Sequence, residues 1–167
     1  LDILFPSLVR IFGWIKVVND SELENEFGNY GPDIIDKQIT EDYFWRILQN
    51  TRRAVKVVVM DQGKMAGVGN IYANDGLWLA KIDPRRPANK LDRKESDLLL
   101  KSLKKVINDG IKYGGATASD NKFVQTSGLG GKYQEHFLAY EQSGKRCQRQ
   151  GCSGIIRKIT LGGRGTY

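Results

Sequence analysis

Long apolar runs and the marks of export are both missing from this sequence. No stretch of about 18 or more consecutive apolar residues occurs, so the chain is not expected to span a membrane. The first residues lack the order of basic, apolar and small residues that forms a secretory signal peptide. No internal repeat or low-complexity tract is present. The sequence therefore gives no sign of a membrane-spanning segment, a secretory signal peptide or a repeat architecture.

Acidic residues and histidine are also scarce. The 167 residues contain 19 Asp and Glu against 26 Lys and Arg, with one His, which leaves a formal net charge of +7. Because cationic side chains gain free energy by displacing counterions from a phosphate backbone, this balance favours a polyanionic partner. The hydrophobic content of 40% is sufficient for a core in one domain with an appendage.

Apolar spacing and capping residues predict a mainly helical chain with extended pieces at its two ends. A β-branched and aromatic run predicts a strand at 14–18, and a Gly-Gly turn predicts a β-hairpin within 155–167. Capping residues before an apolar periodicity and glycines after it predict helices at 22–27, at 41–50 with Thr40 as the cap, and within 94–115 with Gly114 at the end. The apolar stripe of this last helix is Leu99, Leu103, Val106, Ile107 and Ile111. Residues 52–60 fit either a strand or a helix, and 114–131 predicts a loop.

Two glycines and an asparagine stand directly before an apolar helix in residues 66–84, AGVGNIYANDGLWLAKIDP. Asn70 is a preferred capping residue, so the helix is expected to begin there. Gly67 and Gly69 leave the preceding backbone bare and free to adopt positive φ. Bare backbone before a helix N-terminus exposes amide donors that suit a phosphate. The alternative is an ordinary tight turn between two packed helices.

Cys147 and Cys152, in CQRQGC, have the spacing of one ligand pair of a zinc site. In a cytosolic protein such close spacing indicates metal binding rather than a structural disulfide. Structural zinc takes four ligands, and His136 fits a surface or strand-face histidine better than a third ligand. The hairpin follows the cysteines, and a second ligand pair would follow the hairpin. The tail therefore predicts half of a zinc finger, incomplete at Tyr167; the alternative is two free thiols without a metal.

Four motifs occur in order along the chain. They are R-x-F-G at 10–13, MDQGKMAGVGNIYANDGLWLAKIDPRRPA at 60–88, GGAT at 114–117, and the Cys147/Cys152 pair followed by GGRGT. In this order and at these separations they resemble the C-terminal two-thirds of the bacterial formamidopyrimidine-DNA glycosylases, the Fpg/Nei family of base-excision repair enzymes. The longest motif resembles the helix-two-turn-helix element of that family. The resemblance covers essentially all of the chain.

The resemblance assigns DNA contacts to several residues. It implies that Lys56 and Asn70 hold the phosphates that flank a lesion, with Arg52 and Arg53 on the same basic surface. Solvated basic side chains are the alternative for these residues. It implies that Arg10 and Phe12 enter the duplex where the damaged nucleotide is flipped out, filling the gap in the stack; a core Phe12 and a surface Arg10 are the alternative.

Arg164 in GGRGT corresponds to the finger arginine of the family. The resemblance implies that this side chain grips the phosphate beside the lesion and assists the second (δ) elimination step, which makes it the catalytic residue expected in this chain. The loop at 117–127 corresponds to the segment that closes over the oxidised purine in some members. The spacing C-x4-C is wider than the C-x2-C that is common in the family.

The resemblance also implies the architecture and the activity. The expected fold is mainly α, with 1–19 as a β remnant of the N-terminal β-sandwich domain, 20–131 as the helix-two-turn-helix domain, and 132–167 as a truncated β-hairpin zinc finger with an incomplete structural zinc site. The expected protein is a monomeric bifunctional glycosylase and AP lyase of the bacterial cytosol that removes 8-oxoguanine and formamidopyrimidines from damaged duplex DNA. In the family a proline amine is the nucleophile and a glutamate the general acid/base; both would lie upstream, so these residues are expected to bind DNA without cleaving it. The alternative is a stand-alone, non-catalytic DNA- or RNA-binding module.

Overall fold

The computed structural model describes residues 17, 19, 22–23, 28–116 and 130–167. The expected strand at 14–18, the Arg10 and Phe12 pair and the loop at 117–127 lie, wholly or mostly, outside this described part. The start of the expected helix at 22–27 is within it. There the Glu22 amide donates to Asn19 Oδ1 at 3.0 Å, and the Asn19 amide donates to Glu22 Oε2 at 3.1 Å. This reciprocal capping, with Glu22 and Leu23 helical, agrees with the predicted helix start.

The described residues are mainly helical and end in a small antiparallel hairpin. In chain order the elements are α1 (Glu41–Gln49), α2 (Val55–Val59), α3 (Asn70–Ala80), a 3-10 turn (Ala88–Lys90), α4 (Arg93–Lys112), a second 3-10 turn (Tyr133–His136), β1 (Ile159–Leu161) and β2 (Arg164–Thr166). None of the helices in this described part is long and apolar enough to cross a membrane.

Capping residues and a glycine set the ends of the helices. Thr40 caps α1 by accepting a hydrogen bond from the Tyr43 amide at 3.1 Å, as predicted. α4 begins at Arg93, one residue before the predicted stretch, because Asp92 is its N-cap and forms a capping box with Glu95. Gly114 follows the end of α4 with φ of +70°, a left-handed conformation that favours glycine.

The structure decides one stretch that the sequence left open, and it differs from the predicted pattern at one residue. The ambiguous stretch 52–60 contains α2, a short helix whose Val55, Val58 and Val59 are all buried. Tertiary burial therefore outweighs the β propensity of its valines. Ile111, the last residue of the predicted stripe on α4, is 62% exposed, so the buried apolar stripe ends at Ile107.

The main core lies between α3, α4 and the shorter helices. α3 crosses α4 closely at Gly76, where a Cβ would stand 2.6 Å from Leu103 Cδ2, so only glycine fits this crossing. Phe44 and Leu48 of α1 fill the same core and are fully buried. A second cluster contains Val106, Tyr133 and Phe137, and it attaches the segment after residue 130 to α3 and α4.

The C-terminal hairpin forms as predicted. β1 and β2 pair antiparallel, with Ile159 opposite Thr166 and Leu161 opposite Arg164. The turn is Gly162-Gly163, with φ of +57° and +73°. Positive φ at both central residues gives a tight turn whose twist matches the strands, which is why two glycines stand there.

Candidate nucleic-acid interface

The loop before α3 differs by one residue from the predicted capping. Gly69 is the N-cap, and Asn70 is already the first helical residue, so the prediction that Asn70 caps the helix is wrong by one position. Gly67 has φ of +90°, as predicted, but Gly69 has an extended backbone with φ of −90° and ψ of 179°. The N-cap requires extended backbone, and Gly69 supplies it while its carbonyl accepts from the Ala73 amide at 2.9 Å.

This loop presents open backbone in front of α3. A Cβ placed on Gly69 would meet nothing within 4 Å, so the space beside it is free for a ligand. Gly69 forms no side-chain cap, and the first intrahelical bond starts at Ala73, which leaves the amides of 70–72 pointing out of the helix end. Gln62 holds the loop by donating to the Val68 carbonyl at 2.9 Å and accepting from the Gly67 amide at 3.1 Å. The arrangement suits an anion.

Lys56 lies beneath the hairpin rather than on an open surface. Its side chain is only 1% exposed, and Nζ donates to the Gly165 carbonyl and to Thr166 Oγ1, both at 2.7 Å. An ammonium has three donors, so one N–H is left beyond these two bonds. Lys56 therefore anchors β2 to α2, a role that sequence reasoning did not foresee.

The surroundings of Lys56 disfavour its positive charge. Burial, and then the positive charge of Arg164, lower the pKa of the Lys56 ammonium from 10.5 to about 8. The Lys56 hydrogen bonds run to neutral oxygens, a carbonyl and a hydroxyl, which do not offset a neighbouring cation as a carboxylate would. An anion placed between Lys56 and Arg164 would relieve both effects.

Arg164 and Lys56 line one cleft between α2 and the hairpin. The cleft encloses about 370 Å³ and is lined by Arg53, Lys56, Val57, Met60, Asp61, Gln62, Leu161, Gly162 and Arg164. Arg164 is exposed at the start of β2. Arg53 also reaches the cleft, but it is paired with Asp61 at 3.0 Å. The carboxylate offsets the attraction of Arg53 for an anionic ligand. Arg52 is exposed next to it, outside the cleft lining.

Asn70 is joined to this cleft through Asn74, which sequence reasoning missed. Asn74 Nδ2 donates to the Asn70 carbonyl at 2.8 Å and to the Gly165 carbonyl at 3.3 Å, and Oδ1 accepts from the Tyr167 amide at 2.9 Å. The structure thus brings Lys56, Asn70 and Arg164 together. A buried Asn in the middle of a helix, where it is a poor helix former, is the one signal in the sequence that could have identified it.

Asp75 is a second buried polar residue that the sequence did not reveal. It is fully buried, and it accepts hydrogen bonds from the amides of Ala139 and Tyr140 at 2.9 and 3.0 Å and from the Tyr133 hydroxyl at 3.2 Å. Burial raises the pKa of the Asp75 carboxyl in spite of these bonds. Asp75 fixes the segment 133–140 to α3 and lies outside the cleft.

The two cysteines form a turn that suits one half of a metal site. The Cys152 amide donates to the Arg149 carbonyl at 3.1 Å, and a hydrogen bond from the Arg149 amide is the first cause that lowers the pKa of Cys147. A lowered thiol pKa favours the thiolate that zinc binds. Within the described ranges no three His, Cys, Asp or Glu side chains form a group that could hold a metal. The described residues therefore supply the pair Cys147 and Cys152 without a third ligand beside it. The exposed His136 stacks on Tyr113 with ring centres 3.8 Å apart.

Comparisons with known proteins agree with this geometry. Residues 30–122 match the family model described as the formamidopyrimidine-DNA glycosylase H2TH domain. The chain is 40% identical to the formamidopyrimidine-DNA glycosylase of Neisseria meningitidis over 137 residues, which cover 82% of this chain and 48% of that protein. It is 35% identical to the protein of the same name from a Wolbachia of Drosophila simulans over 158 residues, 95% of this chain and 57% of that protein. The chain therefore spans about half the length of these curated relatives.

Solved structures of the same group have the same fold. The chain matches the MutM (Fpg) protein of Thermus thermophilus with a TM-score of 0.80 and 32% identity, covering 89% of this chain and 55% of that one. It matches the Lactococcus lactis formamidopyrimidine-DNA glycosylase, non-covalently bound to DNA that contains an AP site, with a TM-score of 0.82 and 31% identity, covering 95% of this chain and 56% of that one. With its H2TH match, its helical core and its terminal hairpin, the chain belongs to the formamidopyrimidine-DNA glycosylase (Fpg/MutM) family.

Proposed function

We propose that this chain is the DNA-gripping part of a bifunctional glycosylase and AP lyase that removes oxidised purines, 8-oxoguanine and formamidopyrimidines, from duplex DNA. In this proposal residues 20–131 are the helix-two-turn-helix domain and 132–167 the finger, and the protein works as a monomer in the bacterial cytosol. The observation that carries the proposal is the cleft in which Lys56 and Arg164 face the same space without a carboxylate partner for Lys56. Asp61, the carboxylate in the lining, is paired with Arg53, so a phosphate supplies the anion for Lys56 and Arg164.

Each residue then has a defined task. The open amides at the start of α3, with Asn70, hold one phosphate, and the cleft of Lys56 and Arg164 holds the next. Arg164 also assists the δ-elimination by stabilising the departing phosphate. Arg52 and Arg53 extend the positive surface along the strand. Arg10 and Phe12, outside the described residues, are proposed to fill the gap left by the flipped nucleotide.

The 167 residues by themselves are proposed to bind DNA and not to cleave it. Schiff-base chemistry needs an amine nucleophile, which in this family is a proline followed by a glutamate. None of the four prolines in the sequence is followed by glutamate. Cys147 and Cys152 are proposed as one ligand pair of a structural zinc, which would brace the hairpin without taking part in the chemistry.

Incubation with an abasic-site duplex and borohydride tests this proposal. We expect binding without a trapped covalent adduct, and a log-log salt dependence whose slope becomes shallower by about one when Arg164 is replaced by Ala, because one phosphate contact is lost. Asp36→Asn, on an exposed loop away from the cleft, is a control that leaves the slope unchanged. A trapped adduct would contradict the assignment of the nucleophile, and tighter binding to structured RNA than to duplex DNA would favour the RNA-binding alternative.

The lowered pKa of Lys56 makes binding sensitive to pH. A bound phosphate favours the ammonium, so binding raises the pKa of Lys56 above its free value of about 8. Affinity for duplex is therefore expected to be full below pH 8 and to fall as pH rises through 8 toward 9. Anisotropy titrations from pH 6.5 to 9.5 measure this. The fall should be absent in Lys56→Met; a fall of the same size in that variant would refute the assignment.

A further inference from the structure

The strongest unassigned feature is the Asn74 side chain, because it touches both halves of the proposed interface. It lies on α3 one turn after Asn70 and is only 1% exposed. Asn disfavours helix interiors, since its amide competes with the backbone. In the middle of α3 that amide binds the hairpin instead. Its nitrogen donates to the Gly165 carbonyl and its oxygen accepts from the Tyr167 amide.

Asn74 and Lys56 hold the same atom of the hairpin. The Gly165 carbonyl accepts from Lys56 Nζ at 2.7 Å and from Asn74 Nδ2 at 3.3 Å, which uses both of its lone pairs. Thr166 Oγ1 donates to the Arg164 carbonyl at 3.2 Å, and the Tyr167 amide donates to Asn74 Oδ1 at 2.9 Å. The backbone on both sides of Gly165 is thus fixed from two helices. Arg164 projects from the residue directly before this fixed point.

The same amide nitrogen also fixes the start of α3. Asn74 Nδ2 donates to the Asn70 carbonyl at 2.8 Å, within the turn whose free amides face the loop opening. One side chain therefore connects the backbone of Asn70 with the backbone that carries Arg164. The distance between two phosphate grips must match the spacing of the DNA strand, because a misplaced donor loses much of its contribution.

We propose that Asn74 is a positioning residue that sets the separation between the Asn70 and Arg164 phosphate grips. This inference rests on the proposed function, since it assumes that both residues contact DNA. Asn74 itself touches no nucleic acid and carries no charge. Its replacement acts on binding only by letting the hairpin, and with it Arg164, move relative to α3.

A double-mutant cycle on the full 167-residue chain tests this. Affinity is measured by anisotropy with a duplex that contains a tetrahydrofuran abasic analogue, over a range of salt concentrations. Asn74→Ala is expected to weaken binding by about 5- to 20-fold in the wild-type background, the effect of losing one or two buried hydrogen bonds. In the Arg164→Ala background it should weaken binding by less than about 2-fold, because the residue through which it acts is already gone. The salt slope of Asn74→Ala should move toward that of Arg164→Ala although no charge is removed.

Two further variants separate positioning from loss of stability. Ile107→Val removes one buried methyl group from the core side of α4, which lowers stability without touching the hairpin, and it should leave affinity and salt slope unchanged. Asn74→Ser keeps a hydroxyl that can donate to the Asn70 carbonyl, but its side chain is too short to reach the hairpin. It should therefore weaken binding as Asn74→Ala does, and it provides the same test if Asn74→Ala folds poorly.

The outcomes distinguish this inference from the proposed function. If Arg164→Ala and Asn70→Ala weaken binding while both Asn74 variants do not, the positioning role is wrong and the interface stands. Losses for Asn74→Ala and Arg164→Ala that multiply in the double variant would equally refute it. If Arg164→Ala and Asn70→Ala leave affinity unchanged, the proposed interface itself is wrong, and the role of Asn74 is refuted with it.

Discussion

Replacing Lys56 by Met is expected to weaken binding to an abasic-site duplex by about 30- to 100-fold, because a charge-assisted contact of about 2–3 kcal/mol is lost. Methionine is unbranched and only one heavy atom shorter than lysine, so it fills most of the buried space. It removes the only cation on the buried wall of the cleft among the described residues, together with two hydrogen bonds that hold β2. The loss of affinity should exceed that of Arg53→Ala, since Arg53 is already paired with Asp61.

Lys104→Met is the matched control for this prediction. Lys104 also donates from Nζ to a backbone carbonyl, that of Ile39 at 3.0 Å, but it lies on α4 beside α1. The two variants therefore share the same substitution, the same change in net charge and the same kind of lost bond. Lys104→Met should weaken binding by less than about 2-fold, the general effect of one distant charge. Equal losses in the two variants would show that net charge, not the cleft, determines affinity.

A third variant separates the charge of Lys56 from its anchoring role. Thr166→Val removes the Oγ1 acceptor and leaves the ammonium in the cleft. If the charge is the larger contribution, Thr166→Val should lose clearly less affinity than Lys56→Met. Loss of the full effect in Thr166→Val would mean that Lys56 acts only through the hairpin.

The helices and the hairpin could be predicted because their signals are local. Thr40 caps α1 through a bond to a residue three positions away, and the two glycines of the hairpin fix their own turn. α2 could not be assigned in this way. Its valines favour a strand locally, and only burial against the other helices makes them helical.

The candidate site was predictable only in its parts. The family resemblance assigns phosphate contacts to Lys56, Asn70 and Arg164 one by one, but their meeting depends on contacts between positions 109 and 91 residues apart, from Lys56 and Asn74 to Gly165. No periodicity or spacing encodes such a contact. The sequence also does not show that Lys56 is buried with its ammonium bound to a carbonyl. From the sequence alone, a lysine among valines is expected to be solvated.

The largest effect on stability is expected at Asp75. Its carboxyl group is buried and binds a segment that is distant in the sequence, a contact that the sequence did not reveal. Asp75→Ala should lower the free energy of unfolding by about 3 kcal/mol, because the amides of Ala139 and Tyr140 and the Tyr133 hydroxyl lose their shared acceptor inside the protein. Urea denaturation followed by circular dichroism measures this. DNA affinity of the folded fraction should stay near that of wild type, since Asp75 lies outside the cleft.

Asp75→Asn is the matched control, because an amide has nearly the shape of a carboxyl group but no charge. The pH dependence of stability then measures the contribution of the charge. An amide oxygen still accepts from the two backbone amides, and the amide nitrogen can donate to the Tyr133 hydroxyl, so this variant should be far more stable than Asp75→Ala. Burial raises the pKa of Asp75 above its value of 3.8 in the unfolded chain. The native state therefore binds more protons between these two values, and the carboxylate costs stability increasingly as pH rises through that window. The stability of Asp75→Asn relative to wild type should thus rise as the pH increases from 3.8 to the raised pKa of Asp75 and then level off. A constant difference across that range, or equal losses for Asp75→Asn and Asp75→Ala, would show that the buried charge does not set the stability of this segment.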